Sequence, residues 1–347
     1  MVQLVDWELA RSTARTLGKG GPEITLTEAA AVVNDLRQLT DEAAGHVQTF
    51  AKMPPKLGHH AVRVVDRGDW ASTNIDGLKT VVTPLIDKVT KGREPGAFTG
   101  MVGSRIAGLQ AGTVLAYLSG RVLGQFEVFS SDPGELLLVA PNIVEVERKL
   151  SAVPRDFRLW VCLHEVTHRV QFTAVPWMRN HFLGQVQAFA QAADTGGEQL
   201  AERLRNGLSA LADSVRNPES RASIIDLVQT PEQKRIIEQL TCLMTLVEGH
   251  AEFVMDGVGP EVIPTVGEIR ARFNQRRAGS NPVEKVIRRL LGIEVKMRQY
   301  AEGHKFVAAV VDRVGIDDFN RIWDSPETLP RTAEIADPDA WIARVLG

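Results

Sequence analysis

The sequence is short of the features that mark specialised protein classes, and each shortage excludes something. Only two cysteines occur in 347 residues. Both, Cys162 and Cys242, lie in apolar stretches of helical spacing, which excludes a disulfide framework and suits a reducing compartment. They read as core filler. Neither sign of charge dominates: 40 Lys and Arg stand against 43 Asp and Glu, a net charge of −3, so the basic surface that phosphate-backbone binding needs is missing. Nucleic acid is not an expected partner. No apolar run reaches the roughly 18 unbroken residues of a membrane span. The most apolar long stretch, 101–124, is interrupted by Arg105, Gln110 and Arg121, so no membrane association is expected. Asp6 and Glu8 stand where a signal peptide would carry a cationic start and an apolar run. The expected location is the cytoplasm. Linkers rich in Ser and Gly, charge blocks and internal repeats are missing as well.

What remains is an ordinary globular composition, 44% hydrophobic and 24% charged. Residues 1–95 read as an N-terminal helical layer: Thr25 and Glu28 form a capping box that opens an amphipathic run to about Ala51, and a second run spans 76–91. From Met101 to about Leu123 the spacing is again helical. GQFEVF, the turn SSDPG and ELLLVAPN then read as a β-hairpin. Pro154 and Asp156 lead into 157–172, apolar around most of its circumference and therefore a buried helix. A polar helical insertion is expected over about 182–228. Thr230, Pro231 and Gln233 supply an N-cap, a first-turn proline and a capping-box partner for a helix running to Met255. Ser280-Asn281-Pro282 opens a last long helix towards Val314. The expected class is mainly α with a small β-sheet.

The chemistry sits in LHEVTH. His164 and His168, four residues apart, differ by about 40° in direction on a helix and can share one metal ion. Glu165 is turned by about 100°, which puts its carboxylate beside such an ion, placed to take a proton from an attacking water. With 8 His and 24 Glu in the chain, random placement gives about 0.01 occurrences of this pattern. Chance does not explain it, and two imidazoles on so apolar a helix need polar partners.

A third ligand has to be distant, because Gln171 and Ala174 stand where the pattern HExxHxxGxxH would have its glycine and last histidine. On the helix from Pro231, Thr241, Thr245, Glu248 and Glu252 recur at i, i+4, i+7 and i+11 as one polar stripe in an apolar helix. Glu248 is the expected third ligand, since a buried glutamate needs a partner that a divalent cation can provide. His250 is about 200° from Glu248 on that helix and does not easily share the same ion. Glu252 is a candidate fourth ligand. The pair Glu165 and His168 also fits a di-iron bundle, but no second ExxH occurs, and two histidines with one carboxylate serve non-haem iron(II) as well as zinc. Tyr300, on a helix carrying Lys285, Arg288, Arg289, Lys296 and Arg298 and four residues before His304, is a candidate oxyanion donor.

LHEVTHRVQF with the downstream EGHAEF resembles the gluzincin type of zinc metallopeptidase. VDWELA, VLAYLSGRVLGQFEVF, GELLLVAPNI and KMRQYAEGHKFV extend the likeness, over most of the chain, to a bacterial zincin-like family of zinc-dependent metalloproteases. Some of its members are labelled as associated with deazaflavin-coenzyme biosynthesis. The resemblance implies a zincin-like catalytic domain over 96–347, with an active-site helix and a separate glutamate helix. It implies one Zn2+ per chain held by His164, His168 and Glu248, with Glu165 as catalytic carboxylate. It also implies a short sheet whose edge strand pairs with an extended peptide. The expected function is hydrolysis of a peptide or protein substrate; the alternatives are a zincin-fold protein that binds metal without turnover and a helical interaction protein.

Overall fold

The computed structural model describes residues 5–53, 62–89, 97–130, 132–192, 230–278 and 293–347. Helix α1 (Trp7–Leu17) is capped by Asp6, whose carboxylate accepts from the Leu9 amide. Helix α2 (Leu26–Ala51) opens on the reciprocal Thr25–Glu28 box. Each cap satisfies a first-turn amide that helix geometry leaves without a partner. Strand β1 (Arg63–Val65), helix α3 (Arg67–Val89) and helix α4 (Ala97–Ser119) follow. The hairpin consists of β2 (Gly124–Glu127) and β3 (Glu135–Val139). Strand β3 ends where Pro141, at the start of α5 (Ala140–Leu150), removes a backbone donor, so APN belongs to a helix and not to the strand. Beyond it come α6 (Pro154–Ala174), α7 (Met178–Gln191), α8 (Pro231–Gly257), α9 (Val266–Ala278), α10 (Ile293–Phe319), and the short α11 (Thr332–Ala336) and α12 (Pro338–Val345). The chain is mainly helical with one small sheet, and among the described residues no helix is long and apolar enough to cross a membrane.

Two expected features fall partly outside these residues. Of the insertion at 182–228 the described part is the end of α7 and Ala192; the start of the last helix at Ser280 lies outside the described residues. One element was not foreseen: β1 lies inside the stretch whose sequence reads as a helical layer.

The strand order is β1-β3-β2, with β1 parallel and β2 antiparallel to β3. Side chains alternate across a strand, and β3 uses both faces. Leu136 and Leu138 enter the large core built around α2, α6, α8 and α10, while Leu137 and Val139 enter a second core with Trp7, Trp70 and Ile75 from α1 and α3. All four are fully buried, which is why this strand reads as a continuous apolar run. The sheet is thus a wall between two cores.

Helix α6 crosses the large core. Its residues Leu159, Cys162, Leu163 and Val166 are fully buried, and the stripe of Leu36, Leu39, Ala43 and Val47 on α2 covers one side of it. Helix α8 lies on another side and is backed by α10. These last two helices meet backbone to backbone at Gly249 and Gly303: a Cβ on Gly249 would lie 2.1 Å from the Gly303 carbonyl carbon, and one on Gly303 would lie 2.0 Å from the Thr245 carbonyl oxygen.

Gly303→Ala is therefore expected to lower stability by about 3 kcal/mol or more, since neither backbone can yield without moving a helix. Gly45→Ala, at an exposed position of α2 with nothing within 4 Å of the added carbon, is expected to raise stability by about 0.5–1 kcal/mol. Chemical denaturation of both variants checks the opposite signs.

Candidate metal centre

Along α6 the i, i+4 spacing lines up Trp160, His164, His168 and Phe172 on one stripe. The stripe on α8 that carries Glu248 faces it. His164 Nε2 and His168 Nε2 are 3.1 Å apart, and Glu248 Oε2 is 3.4 Å from each. A tetrahedral ion with bonds of about 2.0–2.1 Å separates its ligand atoms by about 3.3–3.4 Å, so this triangle has the size of one face of such a site. Among the described residues these three are the group whose ligand atoms all lie within 4.8 Å of one another. Glu248 Oε2 is buried and accepts no hydrogen bond. A buried carboxylate oxygen aimed at two imidazole nitrogens and otherwise unpartnered fits a shared cation.

The electrostatics are those of a site waiting for positive charge. Burial pushes the Glu248 carboxyl up, but the neighbouring His168 and His164 outweigh it and hold the group well below the usual carboxylate range. Burial likewise pushes His168 down, and Glu248, Glu165 and Gln171 together raise it to about 9. Glu165, also buried, is raised by desolvation and by the Glu248 charge, against the lowering effect of both histidines. Its carboxylate lies against β2: a Cβ at Gly124 would come within 2.6 Å of Glu165 Cδ. Sheet alternation puts Gly124 and Phe126 towards α6, where Phe126 stacks on Phe172 at 5.8 Å. Gln125 points the other way, to Asn74 on α3.

Glu252 is not part of the triangle. It is 3.7 Å from Arg270 of α9, which also pairs with Asp256 at 2.5 Å. The fourth-ligand expectation gives way to an ion pair, because α9 brings a guanidinium to this turn of α8. His304 faces Asp256 at 3.5 Å. His250 is fully buried away from the three ligand atoms, as its direction on the helix suggested, and its Nδ1 lies 3.0 Å from Gln171 Nε2. Tyr300 belongs to α10, but its side chain lies outside the described residues. Gly124 was not singled out in the sequence, and Gln171 entered only as a residue that breaks the HExxHxxGxxH pattern. A glycine at the start of a strand beside an HExxH helix was the available signal for the first.

A model of the zincin-like metallopeptidase family matches residues 5–342. A solved structure from Chloroflexus aurantiacus, described as a "putative hydrolase with a novel fold", aligns with a TM-score of 0.70 at 28% identity over 98% of each chain. No curated protein matches.

A divalent ion that takes these three atoms must displace the proton His168 holds at neutral pH. Uptake of Zn2+ at pH 7 is expected to release about one proton or more per ion, falling as the pH rises through about 9. Titration calorimetry in buffers of different ionisation enthalpy reads this number directly.

Proposed function

The chain belongs to the zincin-like metallopeptidase family, and from that premise we propose that it is a zinc-dependent peptidase with His164, His168 and Glu248 as ligands to one Zn2+ and Glu165 as general base. The observation that carries the reading is the unpartnered Glu248 oxygen 3.4 Å from both imidazole nitrogens. The two histidines and one glutamate, with no fourth ligand atom grouped with them among the described residues, match the donor set of catalytic zinc, which keeps a position open. The engagement of Glu252 by Arg270 removes the support for a closed, purely structural site.

Zinc, when bound, supplies Lewis acidity that polarises a carbonyl and activates water. The chain supplies the rest. Glu165 accepts the proton of the attacking water and delivers it to the leaving amine, a task suited to a carboxyl raised by its surroundings. Burial beside β2 keeps that carboxylate oriented and shields it from bulk water. Strand β2 is at the edge of the sheet, and an extended peptide pairing with its free edge would pass beside Glu165. Tyr300 remains the proposed oxyanion donor.

Metal content by mass spectrometry is expected to give one zinc per wild-type chain, lost or greatly weakened in Glu248→Ala at matched folding. Glu165→Gln is expected to keep the zinc and lose peptide hydrolysis by 100-fold or more, on the order of a general base's contribution; full activity in this variant would remove Glu165 from the mechanism. Gly124→Ala, which pushes the Glu165 carboxylate off the strand, is expected to lower kcat on a peptide-library substrate at unchanged metal affinity.

A further inference from the structure

Behind His168, on the side away from Glu248, two buried residues complete a chain of contacts. Gln171 and His250 are both fully buried. Gln171 Oε1 is 3.0 Å from His168 Nδ1, Gln171 Nε2 is 2.9 Å from the Val247 carbonyl oxygen, and the same Nε2 is 3.0 Å from His250 Nδ1. The His250 ring is held by Phe319, stacked at 5.6 Å, and by Trp323 at 5.4 Å.

The direction of every proton in this chain follows from one group that has no choice. The Val247 carbonyl only accepts, so the amide end of Gln171 nearest to it is the NH2 end. The other end is then the carbonyl oxygen, which also only accepts, and His168 Nδ1 must donate to it. Once the imidazole is neutral, as metal binding requires, a proton kept on Nδ1 leaves the lone pair on Nε2, and His168 Nε2 is the atom that faces Glu248. The second N–H of Gln171 needs an acceptor of its own in this buried place. His250 Nδ1 provides it, which leaves the His250 proton on Nε2, a buried atom without a hydrogen-bond partner between the rings of Phe319 and Trp323. His250 thus acts on a ligand it never touches.

We infer that Gln171 and His250 are positioning residues of the metal centre: His250 and the Val247 carbonyl fix the orientation of the Gln171 amide, and that amide fixes His168 in the tautomer whose Nε2 is free to bind metal. The inference rests on the reading of His164, His168 and Glu248 as a metal site. The partner of the histidine ligand is here a neutral amide, where metal-binding histidines often have a carboxylate. The amide sets ring orientation without adding negative charge behind the ion.

The test is Zn2+ affinity of the full chain, measured by competition with a chromophoric chelator, for wild type, Gln171→Met, His250→Phe and the double variant. Gln171→Met is expected to bind Zn2+ about 10- to 100-fold more weakly. His250→Phe keeps the aromatic stack and loses only the acceptor, and is expected to lose about 2- to 10-fold, the worth of one neutral hydrogen bond. The double variant is expected to be no weaker than Gln171→Met alone, because His250 has no route to the ion except through Gln171. Gln171→Asn, a smaller change that keeps the amide but cannot span His168 and Val247, is expected to match Gln171→Met, and it stands in if the methionine variant does not fold. In zinc-loaded wild type the His168 Nδ1–H proton is expected as a slowly exchanging NMR resonance that both Gln171 variants lose. Wild type that binds no Zn2+ would overturn the metal site itself. Wild type that binds while Gln171→Met binds equally well would overturn the role of Gln171, and losses that simply add in the double variant would overturn the route through His250.

Discussion

The proposed metal centre depends on how closely α8 can be pressed between α6 and α10. Two of the proposed ligands lie four residues apart on α6, and the third, Glu248, is 80 positions beyond His168 and meets them only through tertiary packing. A carboxylate oxygen must sit within a few tenths of an ångström of one place for the triangle to hold an ion. The direct backbone contact of Gly249 and Gly303 gives α10 the close approach that a side chain at either position would prevent. Gly249 follows Glu248 in sequence, so the spacing between the two helices and the position of the ligand are set at the same turn.

A buried site of this kind has to satisfy every polar atom it removes from water. Most of them find partners within the protein: Gln171 bridges His168, Val247 and His250, and Arg270 takes up Glu252 and Asp256. The exceptions around the site are one oxygen of Glu248, His250 Nε2 and Trp160 Nε1, which have no hydrogen-bond partner. Around Glu248 a histidine is raised to about 9 and the carboxyl itself is held low, the mutual effect of a buried carboxylate and an imidazolium. A second charge cluster, in which Arg270 pairs with Asp256 and Glu252, holds Glu252 apart from the first.

Much of this was legible in the sequence because it is local. The His164–His168 spacing, the polar stripe through Glu248 and the capping boxes at Thr25 and Thr230 are properties of single helices, where periodicity and end chemistry decide the outcome. The parts that were not legible are properties of pairs of elements. Strand β1 has three residues, too few for any alternation to show. Glu252 and Glu248 are equivalent on the α8 stripe, and only the arrival of α9 with Arg270 separates them. The angle of His250 on the helix set it apart from Glu248, yet its partner Gln171 is 79 positions away and becomes a neighbour only where α6 and α8 cross. Glycine at 124 has a meaning only once Glu165 is seen against it.

The wall between the two cores also bears on how the hairpin avoids error. In β3 the residues for both cores are apolar, so a slip of one position would exchange Leu136 and Leu138 for Leu137 and Val139 with little loss of buried surface. The hydrophobic pattern of β3 therefore does not choose between the two alignments. The choice falls to β2, whose two sides differ: Gly124 and Phe126 suit the face towards α6, while Gln125 meets Asn74 and Glu127 folds back on the amides of Phe129 and Ser130. Were that strand to shift by one residue, a glutamine side chain would occupy the space in which the Glu165 carboxylate now rests. Gly124 is thus also the alignment mark of the hairpin, and the fidelity of strand pairing and the placement of the proposed catalytic carboxylate are one requirement.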